Sequence, residues 1–271
     1  MTDRIFKELA RLTAAQETAA FCVITSAKGS TPRQAGSKMI VYPDGQILGT
    51  VGGGELEHRV VEEAKLAMQT GQPKVVAYSM ADPERGDPGV CGGQLEVYVE
   101  PILPRPAVIV VGAGRVGKAV AELAKWLGYY VVVSDDRPEF SSESHVPDAD
   151  ANHSGPMEAI PDEFTIHRQT YFVLTTRNVE VDAAGLPRLM ETQSPFIGVI
   201  GSRRRWETTR SKLLEQGVPE EKIARIQSPI GLELHAETPA EIAVSIMAQI
   251  ILVQRGDADG GDGGEPMAGK E

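Results

Sequence analysis

The chain has 271 residues, 41% of them apolar and 24% charged, with a formal net charge of −11. That apolar share suffices for one large core or two ordinary ones and excludes a disordered chain. The acidic balance argues against nucleic-acid binding, which needs phosphate-neutralising Lys and Arg. No run approaches the roughly 18 uninterrupted apolar residues of a membrane span. Residues 1–12 carry charges throughout, unlike a secretory signal. Cys22 and Cys91 make no disulfide framework, so a reducing cytoplasm is the expected compartment.

Ile5, Phe6, Leu9 and Leu12 have the spacing of a short helix. Residues 21–25 read as a buried strand in which Cys22 is an inert core thiol. Residues 38–42 and 46–51 flank Pro43-Asp44-Gly45, whose preset φ, local acceptor and free glycine predict a hairpin. Residues 55–70 read as an amphipathic helix stopped by Gly71 and Pro73. Strand-like runs follow at 74–79 and 94–100. Pro101, Pro104 and Pro106 place a domain boundary near residue 104. Strand and helix patterns then alternate, which predicts a parallel sheet: strands at 107–111, 130–134, 171–175 and 196–200, with a helix at 118–128. Ser202 is a candidate N-cap. Thr238, Pro239 and Glu241 form a capping box for a last helix. The expected architecture is α/β: an α+β domain over 1–104, a larger Rossmann-type doubly wound parallel sheet over 105–255, and a disordered Gly- and Asp-rich tail over 256–271.

The apolar run 107–111 leads directly into Gly112-Ala113-Gly114-Arg115-Val116-Gly117. In such a turn Gly112 permits the sharp change of direction, Gly114 lets a pyrophosphate approach the backbone, and Gly117 lets helix and strand pack closely. Phosphates would sit on the free N–H groups of the turn and helix start, Arg115 and Val116 included. Asp135 ends the next strand about 20 residues on, where an acid holds a ribose diol. Its charge favours NAD over NADP, and Arg137 opposes that preference. Both dinucleotides stay open, as does an empty fold.

Three glycine-bearing segments stand out in the first half. Ser30, Thr31 and Arg33 lie in a loop beginning at Gly29, Gly52-Gly53-Gly54 precedes the helix from Glu55, and Cys91-Gly92-Gly93 precedes a strand. Backbone bared by glycine near a helix start can hold an oxyanion, and Arg33 can add a bidentate contact. Cys91 reads as a reachable loop thiol. Arg203, Arg204 and Arg205 suit either a solvated basic face or a second anion site. The five histidines show no ligand spacing, so no metal site is assigned. No catalytic residue is assigned either. A dehydrogenase reading needs a proton donor near the nicotinamide, for which only Asp182 and His235 offer themselves. A nucleotide-sensing or purely structural partner protein is a third reading.

The chain resembles the XdhC/CoxI family, accessory factors for xanthine dehydrogenase and carbon monoxide dehydrogenase type molybdenum hydroxylases. The resemblance is carried by GSTPRQAGSKM, GTVGGGELE and CGG in the first half. In the second it is carried by VVGAGRVGKAVAELAKWLG, VSDDRPEF, FIGVIGSRRRW and SPIGLELHAETPAEIAVSIMAQII. It implies a maturation factor rather than an enzyme with its own turnover. Such a factor binds molybdenum cofactor (molybdopterin or its cytosine dinucleotide form), supports its sulfuration and delivers it to an apo-hydroxylase. A cysteine desulfurase is then a further candidate partner. Ser30, Thr31, Arg33 and Gly52 to Gly54 become candidates for the pterin phosphate, and Cys91 for the metal or its sulfur. The Gly112–Gly117 turn suits NAD, NADP or the cofactor's own pyrophosphate. A homodimer is the expected state because two-fold oligomers are common. The chain departs from the family pattern at Glu55, where many members have Cys, at Val179 and Val181, near family histidines, and at His235, where glycine is common.

Overall fold

The computed structural model describes residues 2–80 and 92–256. The chain divides into two compact units, Met1–Pro104 and Arg105–Glu271.

The first unit runs α1 (Thr2–Ala14), β1 (Ala19–Lys28), β2 (Lys38–Val41), β3 (Ile47–Gly49), α2 (Gly54–Thr70), β4 (Lys74–Ser79) and β5 (Gln94–Ile102). Its five strands form an antiparallel sheet in the order β3-β2-β1-β5-β4. The β2–β3 hairpin turns where Asp44 Oδ1 accepts the Gln46 N–H and Gly45 takes φ 85°. Leu56, Val60, Ala64 and Ala67 recur at helical spacing along α2 and pack on Ala20, Cys22 and Ile24 of β1. Cys22 is an inert core thiol: burial pushes its pKa up to about 12. The alternate β1 residues, Ala19 and Phe21, face the cluster that holds Ile5 and Leu12 of α1. The sheet is thus covered by a helix on each face.

The second unit runs β6 (Ala107–Val111), α3 (Arg115–Trp126), β7 (Tyr130–Asp135), β8 (Ala151–Ser154), α4 (Ile160–Glu163), β9 (Thr170–Leu174), α5 (Val179–Met190), β10 (Phe196–Val199), α6 (Arg203–Glu215), α7 (Glu220–Ile223), β11 (Ile226–Gln227) and α8 (Pro239–Gly256). Its six strands are all parallel, in the order β11-β10-β9-β6-β7-β8. This is the doubly wound arrangement, and the strand order reverses between β6 and β9. Every residue of β6 is buried. Val108 and Val110 face the cluster with α3 and α8; Ile109 and Val111 face the one with α5 and α6. Burying each such side chain stabilises by roughly 1.5–3 kcal/mol.

Two elements have little sequence signal. The edge strand β8 reads Ala-Asn-His-Ser, with only His153 turned inward. Helix α5 contains Gly185 and Pro187, residues that ordinarily argue against a helix. Gly185 is needed there because a Cβ would come within 2.6 Å of Met157. At the other end, Gly256 closes α8 instead of opening the tail. Residues 257–271 lie outside the described residues. No helix among the described residues is long and apolar enough to cross a membrane.

Candidate functional site

The turn from β6 to α3 is built by crowding on one side and space on the other. Gly112 has φ 97°, and a Cβ there would lie 2.6 Å from the Thr175 carbonyl oxygen. A Cβ on Gly117 would lie 2.0 Å from the Gly112 oxygen. Around Gly114 nothing stands within 4 Å. Two of the three glycines therefore allow close packing, and the third leaves its approach open, as an incoming phosphate needs. Helix α3 begins at Gly114 with no side-chain cap, so its first N–H groups stay available. By contrast, the Asn178 and Ser202 side chains cap α5 and α6. Thr238 and Glu241 close the reciprocal capping box at the start of α8.

The turn opens on a groove of about 520 Å³. It is lined by Gly112 and Gly114, by Ser134 to Arg137 and Phe140, by Gly155 to Glu158, by Thr175 to Arg177, and by Glu180, Val181 and Ala184. This is the crevice at the carboxyl ends of the strands, at the topological switch point, where open α/β sheets bind ligands. Another hollow, of about 410 Å³ around Pro161 to Ile166, Arg188, Glu191, Thr192 and Gln193, contains no glycine turn.

Asp135 is buried beside the turn, and its Oδ2 accepts the Ala113 N–H at 3.0 Å. Arg137 grips the same carboxylate through Nε and Nη2, at 2.8 and 2.9 Å, and through its own backbone N–H at 3.0 Å. Burial pushes the Asp135 pKa up, but these bonds outweigh it and hold the group below the usual carboxylate value. The Arg137 guanidinium also lies 3.8 Å from the Phe140 ring centroid. From outside, His145 Nε2 donates to the Ala113 carbonyl at 2.7 Å, which fixes the middle residue of the turn on both sides.

Across the groove, Thr176 and Arg205 are tied to Asp182. Arg205 Nη2 donates to Asp182 Oδ2 at 2.6 Å and to Thr176 Oγ1 at 2.8 Å, and Thr176 also donates to Asp182. Asp182 is fully buried, and desolvation raises its pKa despite these partners. The cluster fixes the end of β9, from which Arg177 reaches the groove and forks onto Asp136. Arg205 is thus consumed internally, while Arg203 and Arg204 are exposed beside the Ser202 cap. Neither Asp182 nor His235 lines the groove.

The first unit brings its glycine segments together. A Cβ on Gly93 would lie 2.2 Å from the Ser30 oxygen and 2.6 Å from the Thr31 methyl group. One on Gly52 would lie 2.8 Å from Pro32. The 29–33 loop therefore touches both other segments. Gly53 and Gly54 take φ 81° and 60° with open space around them, and α2 begins there without a side-chain cap. Arg33 is exposed; Thr31 Oγ1 donates to its carbonyl at 2.9 Å. Glu55, the departure from family cysteine, pairs with Arg59 at 2.9 Å on an exposed face. Cys91 lies outside the described residues. Among the described residues no cluster of His, Cys, Asp or Glu could hold a metal ion.

With these features in place, comparison with known proteins decides the family. The XdhC Rossmann domain model matches residues 108–250, and the XdhC and CoxI family model matches residues 12–79. The chain belongs to the XdhC family. Uncharacterized protein YqeB of Escherichia coli (strain K12) is 35% identical over 262 residues, covering 95% of this chain and 47% of its own. A protein described as a probable xanthine dehydrogenase subunit, from Bacillus subtilis (strain 168), is 31% identical over 159 residues, covering 59% of this chain and 46% of its own. The chain thus spans about half the length of the curated relatives it matches. A crystal structure described as a xanthine dehydrogenase from Bacillus halodurans shares the fold at TM-score 0.50 and 23% identity, covering 92% of this chain and 95% of that one.

The glycine common in the family at position 235 also acquires a reason, while the histidine of this chain does not. Its backbone sits at φ 52°, in the left-handed region, which glycine enters at no steric cost. What the sequence reading missed is His145 and Arg177. His145 acts through a contact 32 positions away in the chain, and Arg177 depends on the packing of α5 and α6 beneath it.

Proposed function

We propose that this protein is an accessory factor in the maturation of a molybdenum hydroxylase. In this role it binds molybdenum cofactor, supports its sulfuration and passes it to the apoenzyme. The observation that carries the reading is the meeting of three family segments in the first unit, Ser30 to Arg33, Gly52 to Gly54 and Gly92-Gly93. There an uncapped helix start and an exposed arginine offer donors to a phosphate. Ser30, Thr31, Arg33 and the Gly53 and Gly54 amides are the groups that would hold the pterin phosphate. Bound cofactor would supply the molybdenum and its exchangeable sulfur. The chain's own residues hold and orient it, with Cys91, immediately before Gly92, as the thiol nearest in sequence. The groove of the second unit takes a dinucleotide pyrophosphate on the N–H groups at the uncapped start of α3, from Gly114 to Gly117. The occupant is NAD, NADP or the cofactor's own cytosine dinucleotide form.

The test is to purify the protein from a molybdenum-replete host and identify bound pterin and metal, with Arg33→Ala as the comparison. Pterin and molybdenum in the unaltered protein, lost or much reduced in the variant, support the reading. Protein free of both, together with a partner hydroxylase that matures fully in cells lacking this protein, overturns it. Loss of that maturation with Cys91→Ser supports the thiol's part, and unchanged maturation removes it.

A further inference from the structure

The ribose end of the groove is arranged unlike the one the sequence implies. An ionised carboxylate offers about four lone-pair positions, two on each oxygen. On Asp135, Oδ1 accepts from the Arg137 backbone N–H and Nε, and Oδ2 accepts from Ala113 N–H and Arg137 Nη2. All four positions are filled, so a ribose diol finds no acceptor there. Replacing Arg137 would forfeit a bidentate charge-assisted pair that is partly shielded from water, the strong class of hydrogen bond.

What the groove presents instead is Arg137. Its side chain is 36% exposed. One face lies on Phe140, and both residues line the groove. Nη1 takes no part in the Asp135 fork. The neighbouring charges are also matched in pairs, Asp135 with Arg137 and Asp136 with Arg177. The charge repulsion that Asp135 would exert on an extra phosphate is thereby largely cancelled, and a free guanidinium edge remains to receive one.

We infer that this groove is built for a dinucleotide whose ribose carries a 2′-phosphate, of the NADP kind, with Arg137 as the residue that reads it and Asp135 as the residue that positions Arg137. An arginine in this place accommodates such a phosphate in other folds of this type. The inference rests on the reading of the groove as a dinucleotide site.

The test is calorimetric titration of the full chain with NADP, NAD, 2′,5′-ADP and 5′-AMP, repeated on Arg137→Ala. The unaltered protein is expected to bind NADP at least tenfold more tightly than NAD, and 2′,5′-ADP more tightly than 5′-AMP. Arg137→Ala is expected to reverse the order, because it removes the phosphate's partner and frees Asp135 for the diol. The adenosine pair settles the preference even if the variant folds poorly. Equal affinities, or tighter binding of NAD, overturn the inference and leave the dinucleotide reading standing. A preference for NADP that survives Arg137→Ala also overturns it. Absence of binding by all four compounds overturns the dinucleotide reading itself, and the inference with it.

Discussion

The two glycine turns look alike in sequence and are built on opposite grounds. In the second unit, Gly112 and Gly117 are required by what surrounds them, since a Cβ on either would strike backbone. In the first unit, Gly53 and Gly54 stand in open space, and only their positive φ calls for glycine. Both helices that follow begin uncapped, while α5, α6 and α8 begin with Asn178, Ser202 and Thr238 and close their own amides. Glycine at a helix start can thus mean close packing, an unusual dihedral or room for a ligand, and substitutions tell these apart.

The largest effect is expected at Gly117→Ala. Its methyl would have to displace the Gly112 carbonyl, which is backbone, and the Thr175 hydroxyl bonded to it. Overpacking of this kind costs about 3 kcal/mol or more. Gly114→Ala, in open space and with φ −67°, should change stability by less than about 0.5 kcal/mol. Urea denaturation of the two variants measures this directly. Equal losses would show that the turn is not divided into packing and approach positions.

Gly53→Ala should fall between them, at about 2 kcal/mol, because φ 81° with ψ 176° is a conformation essentially confined to glycine, here held without a clash. A loss as large as that of Gly117→Ala would mean the two turns are built alike after all.

A smaller effect separates the units by pH. The folded-state pKa of Asp135 lies below its unfolded value of about 3.8. Its contribution to stability is therefore complete above that value and is lost as the pH falls through the lower, folded one. Asp135→Asn should unfold more readily than the unaltered protein near neutrality. The difference should shrink on acidification below the ordinary carboxylate range, as denaturation midpoints across pH would show. A difference that does not change with pH would mean that Asp135 acts through shape alone.

The last effect runs the other way. His235→Gly should raise stability by about 0.5–1 kcal/mol, since the backbone already has the conformation that glycine enters freely. Its side chain is almost wholly exposed, so little packing is lost. Thermal melting measures the gain, and a loss would show that the imidazole does more than occupy its place.

The outline of the second unit could be read from the chain because its signals are local. Residues 107–117 carry strand, turn and helix start in one run, and Asp135 follows at the end of the next strand. The antiparallel sheet of the first unit was legible only as strand-like runs, because pairing β1 with β5 joins residues some 70 positions apart. The groove's chemistry was half legible. Asp135 and Arg137 were both recognisable, but whether the acid faces a ligand or its own arginine depends on a rotamer, which spacing does not encode. β8 and α5 were hidden because one lacks an apolar run and the other contains Gly185 and Pro187.

Strand β6 has a consequence for how any occupant is held. It is paired on both edges, to β7 and β9, and all five of its side chains are buried. Its amides can meet solvent only when the whole unit opens, so they should be the last to take up deuterium. The turn proposed to seat a diphosphate therefore grows directly from one of two central strands, β6 and β9, that are paired on both edges and fully buried. A ligand arriving there finds its donors already in position and forfeits little chain entropy in docking.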